Sequence, residues 1–308
     1  MIGAGMRIGI DLGGTKIAGV ALMPSDRVAA ELRIPAPRGD YSATLGAIRK
    51  LVQDLEAETG LRGTVGVGMP GSLSPATGLV QNANSTWLNG RPFDRDLSQA
   101  LGRRVRFAND ANCFALSEAA DGAAAGARSV FGVILGTGCG GGIVFGGRLI
   151  DGPHGISGEW GHNPLPWPQP DEYDATRCWC GRSSCLETWI AGPALEADHL
   201  RQTGSALSSP DIAKRAAAGD AVAQATLDRH ASRLARGLAH VINLIDPEII
   251  VLGGGLSQLR HLYDVLPDLI APLVLADAAH IDIRPPKWGD ASGVRGAARL
   301  WQPGERDD

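Results

Sequence analysis

An α/β fold is what this sequence predicts, and three observations predict it. Short apolar segments of strand length alternate with segments whose apolar residues recur at helical spacing. The strand-length segments stop at glycine-containing turns. One unit, strand–glycine turn–strand, opens the chain and returns near its middle, so two similar halves are expected, although no close sequence repeat accompanies them.

Residues 7–11 read as a strand, 12–15 as a tight turn and 16–22 as the returning strand, because two glycines between apolar runs are a hairpin signal. Residues 28–34 make a third strand. Residues 41–58 carry Leu45, Ile48, Leu51, Val52 and Leu55 at helical spacing. Residues 64–69 form a buried strand that stops at Pro70-Gly71. Residues 105–108 form another, stopping at Asn109-Asp110, and 111–120 a helix. After a Gly/Ala-rich break the pattern restarts, with a strand at 130–135, a turn at 136–142 and a strand at 143–145. Residues 193–245 are mostly helical. A strand at 248–252 ends on Gly253-Gly254-Gly255, and the chain closes with a strand near 281–284 and a helix from about 293 to 301.

A chain of 308 residues makes one large domain or two of moderate size and buries a core without disulfides. A net charge of -4 and a pI near 6.0 argue against nucleic-acid binding. Apolar runs are strand-sized and no leader-like start is evident, so a soluble cytoplasmic protein away from membranes is expected. Five cysteines fit a reducing compartment better than a disulfide framework. The 42 glycines cluster at the ends of apolar runs, which suggests loops that approach a ligand closely.

The opening turn offers Gly13-Gly14-Thr15 for backbone contact with phosphate and Asp11 as a magnesium ligand; an ordinary hairpin turn is the alternative. It is not a Walker A loop, since the chain has no Gly-Lys pair. Gly136-Thr137-Gly138-Cys139-Gly140-Gly141 matches the dinucleotide fingerprint formally. That fingerprint must open a helix, and here a strand follows, so a second phosphate-contacting hairpin explains it better. Gly254 and Gly255, after a buried strand, suit backbone contact with a flat ligand or a plain helix-entry turn. Asn109-Asp110 stands at a strand end, where α/β ligands collect, so Asp110 is either a general base or, like Asn109, a helix cap.

His162 with Cys178, Cys180 and Cys185 makes a tetrahedral S₃N zinc set, with free thiols as the alternative. Four protein ligands close such a site, which makes it structural, and a metal clip would order the Pro-rich residues 164–170. Glu159 and Glu187 flank the cluster as candidates for sugar hydroxyls or as solvated carboxylates.

Together these motifs resemble the ROK family of bacterial sugar kinases: Gly9-x-Asp11-x-Gly13-Gly14-Thr15-Lys16, Asn109-Asp110, Gly136-Thr137-Gly138, Glu159-x-Gly161-His162 and Cys178-x-Cys180-Gly181-x-x-x-Cys185-x-Glu187. Residues 82–90 and 159–167 resemble the fructokinase branch of manno(fructo)kinase type, and residues 109–118 the N-acetylglucosamine kinase branch. The resemblance implies an actin-like, hexokinase-like pair of α/β domains, duplicated on the RNase H-like plan, with a cleft between them. Residues 1–118 with 294–308 would form the small domain and 119–293 the large one with its zinc loop. Asp110 would take the proton from the sugar 6-hydroxyl, and Asn84, Asn109, Glu159, His162 and Glu187 would bind the sugar. ATP and Mg²⁺ would be held by Gly9, Asp11, Gly13, Gly14, Thr15, Lys16, Gly136, Thr137, Gly138, Gly140, Gly254 and Gly255. The implied reaction makes fructose 6-phosphate from fructose and ATP, with mannose as a second substrate and a homodimer as the assembly. The alternatives are an N-acetylglucosamine kinase or glucokinase, or a sugar-responsive regulator, for which a first strand near residue 7 leaves no helix-turn-helix. One departure is Ser184, where the family carries Gly; a positive φ there would cost a serine.

Overall fold

The computed structural model describes residues 2–173 and 176–307; residues 1 and 308, at the limits of the expected small domain, lie outside the described residues. The first half opens with three antiparallel strands, β1 (Ile2–Leu12), β2 (Lys16–Leu22) and β3 (Val28–Pro35). Helix α1 (Tyr41–Thr59) then returns the chain to β4 (Arg62–Met69), parallel to β1. A short hairpin, β5 (Ser72–Leu73) and β6 (Val80–Gln81), and helix α2 (Phe93–Leu101) lead to β7 (Val105–Asn109), parallel to β4, and to α3 (Asp110–Ala120).

The second half repeats this plan. Strands β8 (Ser129–Leu135), β9 (Cys139–Phe145) and β10 (Arg148–Leu149) are antiparallel. Helices α4 (Glu187–Ile190), α5 (Gly192–Thr203), α6 (Ser209–Ala217) and α7 (Ala221–Ile245) lead to β11 (Ile249–Gly253), parallel to β8. Helix α8 (Arg260–Ile270), β12 (Ile283–Arg284) and α9 (Ser292–Ala298) close the chain. The sheet orders are β3-β2-β1-β4-β7 and β10-β9-β8-β11-β12, the same arrangement twice. The expected duplication is therefore visible in topology, although the sequences of the halves do not show it.

Helix α1 shows how sequence sets an element. Asp40 Oδ1 accepts from Ala43 N at 2.9 Å, an N-cap, and Gly60 at φ 68° ends the helix in the left-handed conformation. Its Ile48, Leu51, Val52 and Leu55 are buried against the sheet, each contributing about 1.5–3 kcal/mol.

The crossing of α3 and α9 joins the halves. Helix α3 follows the first sheet but packs on β8 and β9; α9 follows the second sheet but packs on β1, β2 and β4. Glycines make these contacts possible. A Cβ on Gly9 would lie 2.0 Å from Val294 O, and one on Gly66 1.9 Å from Ala297 O. Gly9 is thus occupied by helix packing, which corrects its expected place among the phosphate contacts. Gly140 likewise lies under α3, its Cβ position 3.0 Å from Ala111 Cβ, rather than in a turn. The strand expected at 143–145 begins at Cys139, because its glycines let α3 close over it. Several of the glycines therefore serve helix–sheet contact. The first strand also begins at residue 2, not near 7. Among the described residues, no helix is long and apolar enough to cross a membrane.

Candidate active site

Apart from Gly9 and Gly140, the expected phosphate and acid–base elements lie at the carboxyl ends of parallel strands. The turn 13–15 follows β1, Asp110 follows β7, the turn 136–138 follows β8, and Gly254 follows β11. In the first turn Gly13 N donates to Lys16 O at 3.0 Å and Ala36 N to Thr15 O at 3.0 Å. Arg38, which the sequence reading passed over, donates from Nε to Gly14 O at 2.9 Å and fixes the turn from outside. Gly14, Thr15 and Lys16 are exposed, and no atom lies within 4 Å of where a Gly14 Cβ would stand. The Lys16 ammonium lies 3.8 Å from Asp290.

The second turn is three residues long. Gly136 N donates to Gly138 O at 3.0 Å, and Gly192 N to Gly136 O at 2.8 Å. Thr137 is exposed at its tip. Gly254, at φ 77°, passes beside this turn, its Cβ position 2.4 Å from Leu135 O, and Gly255 is open. The third glycine, Gly253, has a different reason: a side chain there would strike the Phe114 ring at 2.6 Å.

Asp11 sits near the end of β1 against the start of α9, where a Gly293 Cβ would be 3.4 Å from its carboxylate. Burial pushes its pKa up to about 7, the negative charge of Asp110 adds to the rise, and Lys16 opposes it. Asp110 is the first residue of α3 and is raised in turn by its depth, against hydrogen bonding from Ala111 N at 2.8 Å; its side chain is still open to solvent. Two carboxylates that resist ionising together call for a cation. Asn109 fills the helix cap, accepting from Ala111 N at 2.9 Å and donating to Gly71 O at 3.1 Å. Its side chain is thereby committed to backbone on both ends, which leaves one amide hydrogen for a ligand.

On the acceptor side, Trp160 Nε1 donates to Gly140 O at 3.1 Å and holds the 159–162 turn on β9. Glu159 is raised by burial, with Asp110 and Glu187 adding and His162 opposing, so three carboxylates and an imidazole converge here. Glu187 opens α4 and accepts from Cys139 N at 2.9 Å and from Trp179 Nε1 at 2.8 Å. Asn84 is exposed on a loop whose shape comes from Asn89, bonded to Ala83 N and Ala83 O at 2.9 Å each. Neither Trp179 nor Asn89 stood out in the sequence, since each works through a contact that only the fold creates.

His162, Cys178, Cys180 and Cys185 place their ligand atoms within 4.8 Å of one another. The Cys180–Cys185 sulfur separation and the His162 Nδ1–Cys178 Sγ separation are both 3.6 Å. Zn–S bonds of about 2.3 Å in a tetrahedron demand edges near 3.8 Å, so the four residues fit zinc. His162 turns Nδ1 to the thiols and Nε2 toward Glu159, 4.0 Å away. Ser184 adopts φ 60°, the conformation its position was expected to need, and the loop closes through Leu165 N–Ser184 O at 3.2 Å. Side chains of α7 also hold the Pro-rich segment and the turn after it. Arg236 donates to Trp167 O at 2.7 Å, and Glu172 is gripped by Arg233 and Arg236 at 2.8 and 2.7 Å. Burial raises the Glu172 pKa, but those guanidiniums outweigh it and hold it near 2.

The chain matches the family model described as the ROK family over residues 7–303. It is 39% identical to an N-acetyl-D-glucosamine kinase of Pasteurella multocida over 301 residues, covering 96% of this chain and 99% of that relative. Its fold superposes on the ROK hexokinase of Thermus thermophilus with a TM-score of 0.84 at 32% identity, over 95% of this chain and 96% of the other. It also superposes on a ROK family glucokinase of Streptomyces griseus, solved with glucose and AMPPNP, with a TM-score of 0.78 at 28% identity, over 97% of this chain and all of the other. With motifs in family order, twin sheets joined by crossing helices and this extent of likeness, the chain belongs to the ROK family.

Proposed function

We propose that this protein is an ATP-dependent hexose kinase that phosphorylates the sugar 6-hydroxyl. The observation that carries the reading is the pairing of Asp11 and Asp110, two carboxylates of raised proton affinity, between the exposed glycine turns and the Glu159–His162–Glu187 cluster. Phosphoryl transfer asks a protein mainly for positioning and charge neutralisation. Backbone at Gly13, Gly14, Thr15, Gly136, Thr137 and Gly138 would hold the phosphates, and Gly254 and Gly255 would face the adenosine. Asp11 would hold Mg²⁺, which when bound supplies neutralisation of the phosphate charge. Asp110 would accept the hydroxyl proton as oxygen attacks, a role worth roughly 10²–10⁴-fold in rate. The sugar would lie on Asn84, Glu159, His162 and Glu187, with zinc on His162 and three cysteines as a structural clip.

N-acetyl-D-glucosamine is the acceptor that the relatives support, since the 39%-identical Pasteurella protein carries that name. D-fructose, put first by the sequence, is the second reading. It is favoured by the convergence of Asn82, Glu159 and Pro164, from the two segments of fructokinase likeness, around one recess beside the acceptor cluster. A coupled ADP-release assay over N-acetylglucosamine, fructose, mannose and glucose separates them by kcat/KM. Sugar binding without turnover of any of the four would overturn the kinase reading and favour a sugar-responsive regulator.

A further inference from the structure

Beside the acceptor cluster lies a recess of about 500 Å³. Glu159 and His162 stand on its lining, whereas Asp110, Asn84 and Glu187 do not. It therefore begins where the site of a single sugar would end, on the side away from the reacting hydroxyl. A hexose has roughly a dozen heavy atoms and fills only part of the ~300–1,000 Å³ typical of small-molecule sites. Lined as it is by Glu159 and His162 but not by Asp110, Asn84 or Glu187, the recess leaves room beyond a first sugar for another saccharide ring.

Its chemistry suits one. The floor is apolar, with Phe131, Ile143 and Val241, and polar groups stand around it, among them Asn82, Asn163 and Arg182. Trp179 supplies an aromatic wall that is 62% exposed. Its position is fixed twice, by the indole N–H on Glu187 at 2.8 Å and by edge packing on the His162 ring at 5.0 Å and 84°. An aromatic face held in place beside hydrogen-bonding groups fits the apolar face and hydroxyl rim of a pyranose.

We propose that this recess is a second acceptor subsite, and that the enzyme phosphorylates disaccharides at the 6-hydroxyl of the non-reducing unit. The inference rests on the hexose-kinase reading. With O6 toward Asp110, carbon 2 lies across a pyranose ring from carbon 5, and the anomeric carbon is beside it. A glycosidic bond there leads into the recess. The γ-phosphoryl group passes from ATP to O6 of the outer sugar, the O6 proton goes to Asp110, and ADP leaves; the second ring only binds.

The test compares N-acetylglucosamine with N,N′-diacetylchitobiose, and fructose with inulobiose, following ADP release and locating the phosphate by mass spectrometry. Leu244→Trp and Ile156→Trp would narrow the recess from exposed positions outside the single-sugar site. Phosphorylation of a disaccharide on its outer O6 is expected. Each tryptophan variant should lower the disaccharide kcat/KM ten-fold or more and leave the monosaccharide unchanged. Monosaccharide turnover with no disaccharide product, or disaccharide turnover indifferent to both variants, overturns the proposal. If no monosaccharide reacts, the hexose-kinase reading has failed, and calorimetry decides the subsite alone: disaccharide binding weakened by Leu244→Trp supports it, and no binding refutes it.

Discussion

Glu187 and Cys139 are joined by a 2.9 Å hydrogen bond from the Cys139 backbone N–H to Glu187 Oε2. The other carboxylate oxygen takes the Trp179 indole N–H at 2.8 Å. One side chain therefore ties the cysteine loop to the strand that leaves the second glycine turn. This carboxylate thus links the two elements directly.

Trp179→Phe keeps an aromatic ring and removes the donor. A hydrogen bond to a charged group contributes about 1.5–3 kcal/mol, and this one is exposed, so the lower end applies. The sugar KM should rise roughly ten-fold, about 1.4 kcal/mol, while zinc content and the ATP KM stay near those of the parent. An unchanged sugar KM would show that the tryptophan does not position Glu187.

Asp110→Asn should abolish turnover and leave sugar binding nearly intact by calorimetry, because the amide keeps the shape but accepts no proton. It should also raise the melting temperature at pH 8 without Mg²⁺. Burial first, and Asp110 second, lift Asp11 to about 7. A carboxyl with a raised folded-state pKa gives stability that is full below about pH 4 and is lost as pH rises through 7. Removing the neighbouring charge restores part of it. A less stable, still active variant would contradict both halves of the reading.

The same pair sets a pH dependence. On the proposed roles, Mg²⁺ binding needs ionised Asp11 and proton acceptance needs ionised Asp110, so kcat/KM should increase with pH through the region of 7. Metal competes with the proton, so raising Mg²⁺ should move this acid limb to lower pH. A limb that stays in place across a hundred-fold range of Mg²⁺ would separate Asp11 from the metal.

The fold class was legible because strand and helix periods differ and because glycine turns punctuate them. Boundaries failed where glycine did something else. Residues 140–142 looked like turn, yet they are strand under α3. Gly9 looked like part of a phosphate loop, yet α9 covers it. Helix α8 carries Pro267 in its interior, a residue that normally signals a break. The Cys/His cluster was readable because three of its members, Cys178, Cys180 and Cys185, crowd into a short span. Arg38, Asn89 and Trp179 were not, since each acts through hydrogen bonds to backbone or a carboxylate, and neither composition nor period records such contacts.

The Cys/His cluster makes its own prediction. The purified protein should hold about one zinc per chain, and Cys180→Ser should lose it, read by elemental analysis. Ser184→Gly is a sharper control. Relief of the left-handed conformation is worth about 1–2 kcal/mol, and the extra freedom of glycine when unfolded costs roughly 0.5–1 kcal/mol. The two nearly cancel, so zinc content should hold and stability should change by under about 1 kcal/mol. Metal-free protein with full activity would refute the zinc site.

The crossing of α3 and α9 yields the largest expected effect on stability. A methyl group on Gly296 would sit 1.7 Å from Cys113 O, inside the backbone of the other helix, with no rotamer to relieve it. The helices must separate, and overpacking of this kind costs about 3 kcal/mol or more. The loss should extend to catalysis. Helix α3 begins with Asp110, and α9 meets Asp11 at Gly293, so a wider crossing moves the two carboxylates apart. Gly296→Ala should therefore lower both the unfolding midpoint and kcat. Gly46→Ala in α1 is the matched control, since nothing lies within 4 Å of its Cβ position. That change should raise stability by roughly 0.5–1 kcal/mol through helix propensity, with kcat unaltered. Equal effects from the two alanines in denaturant titrations would mean that the crossing distance does not control the site.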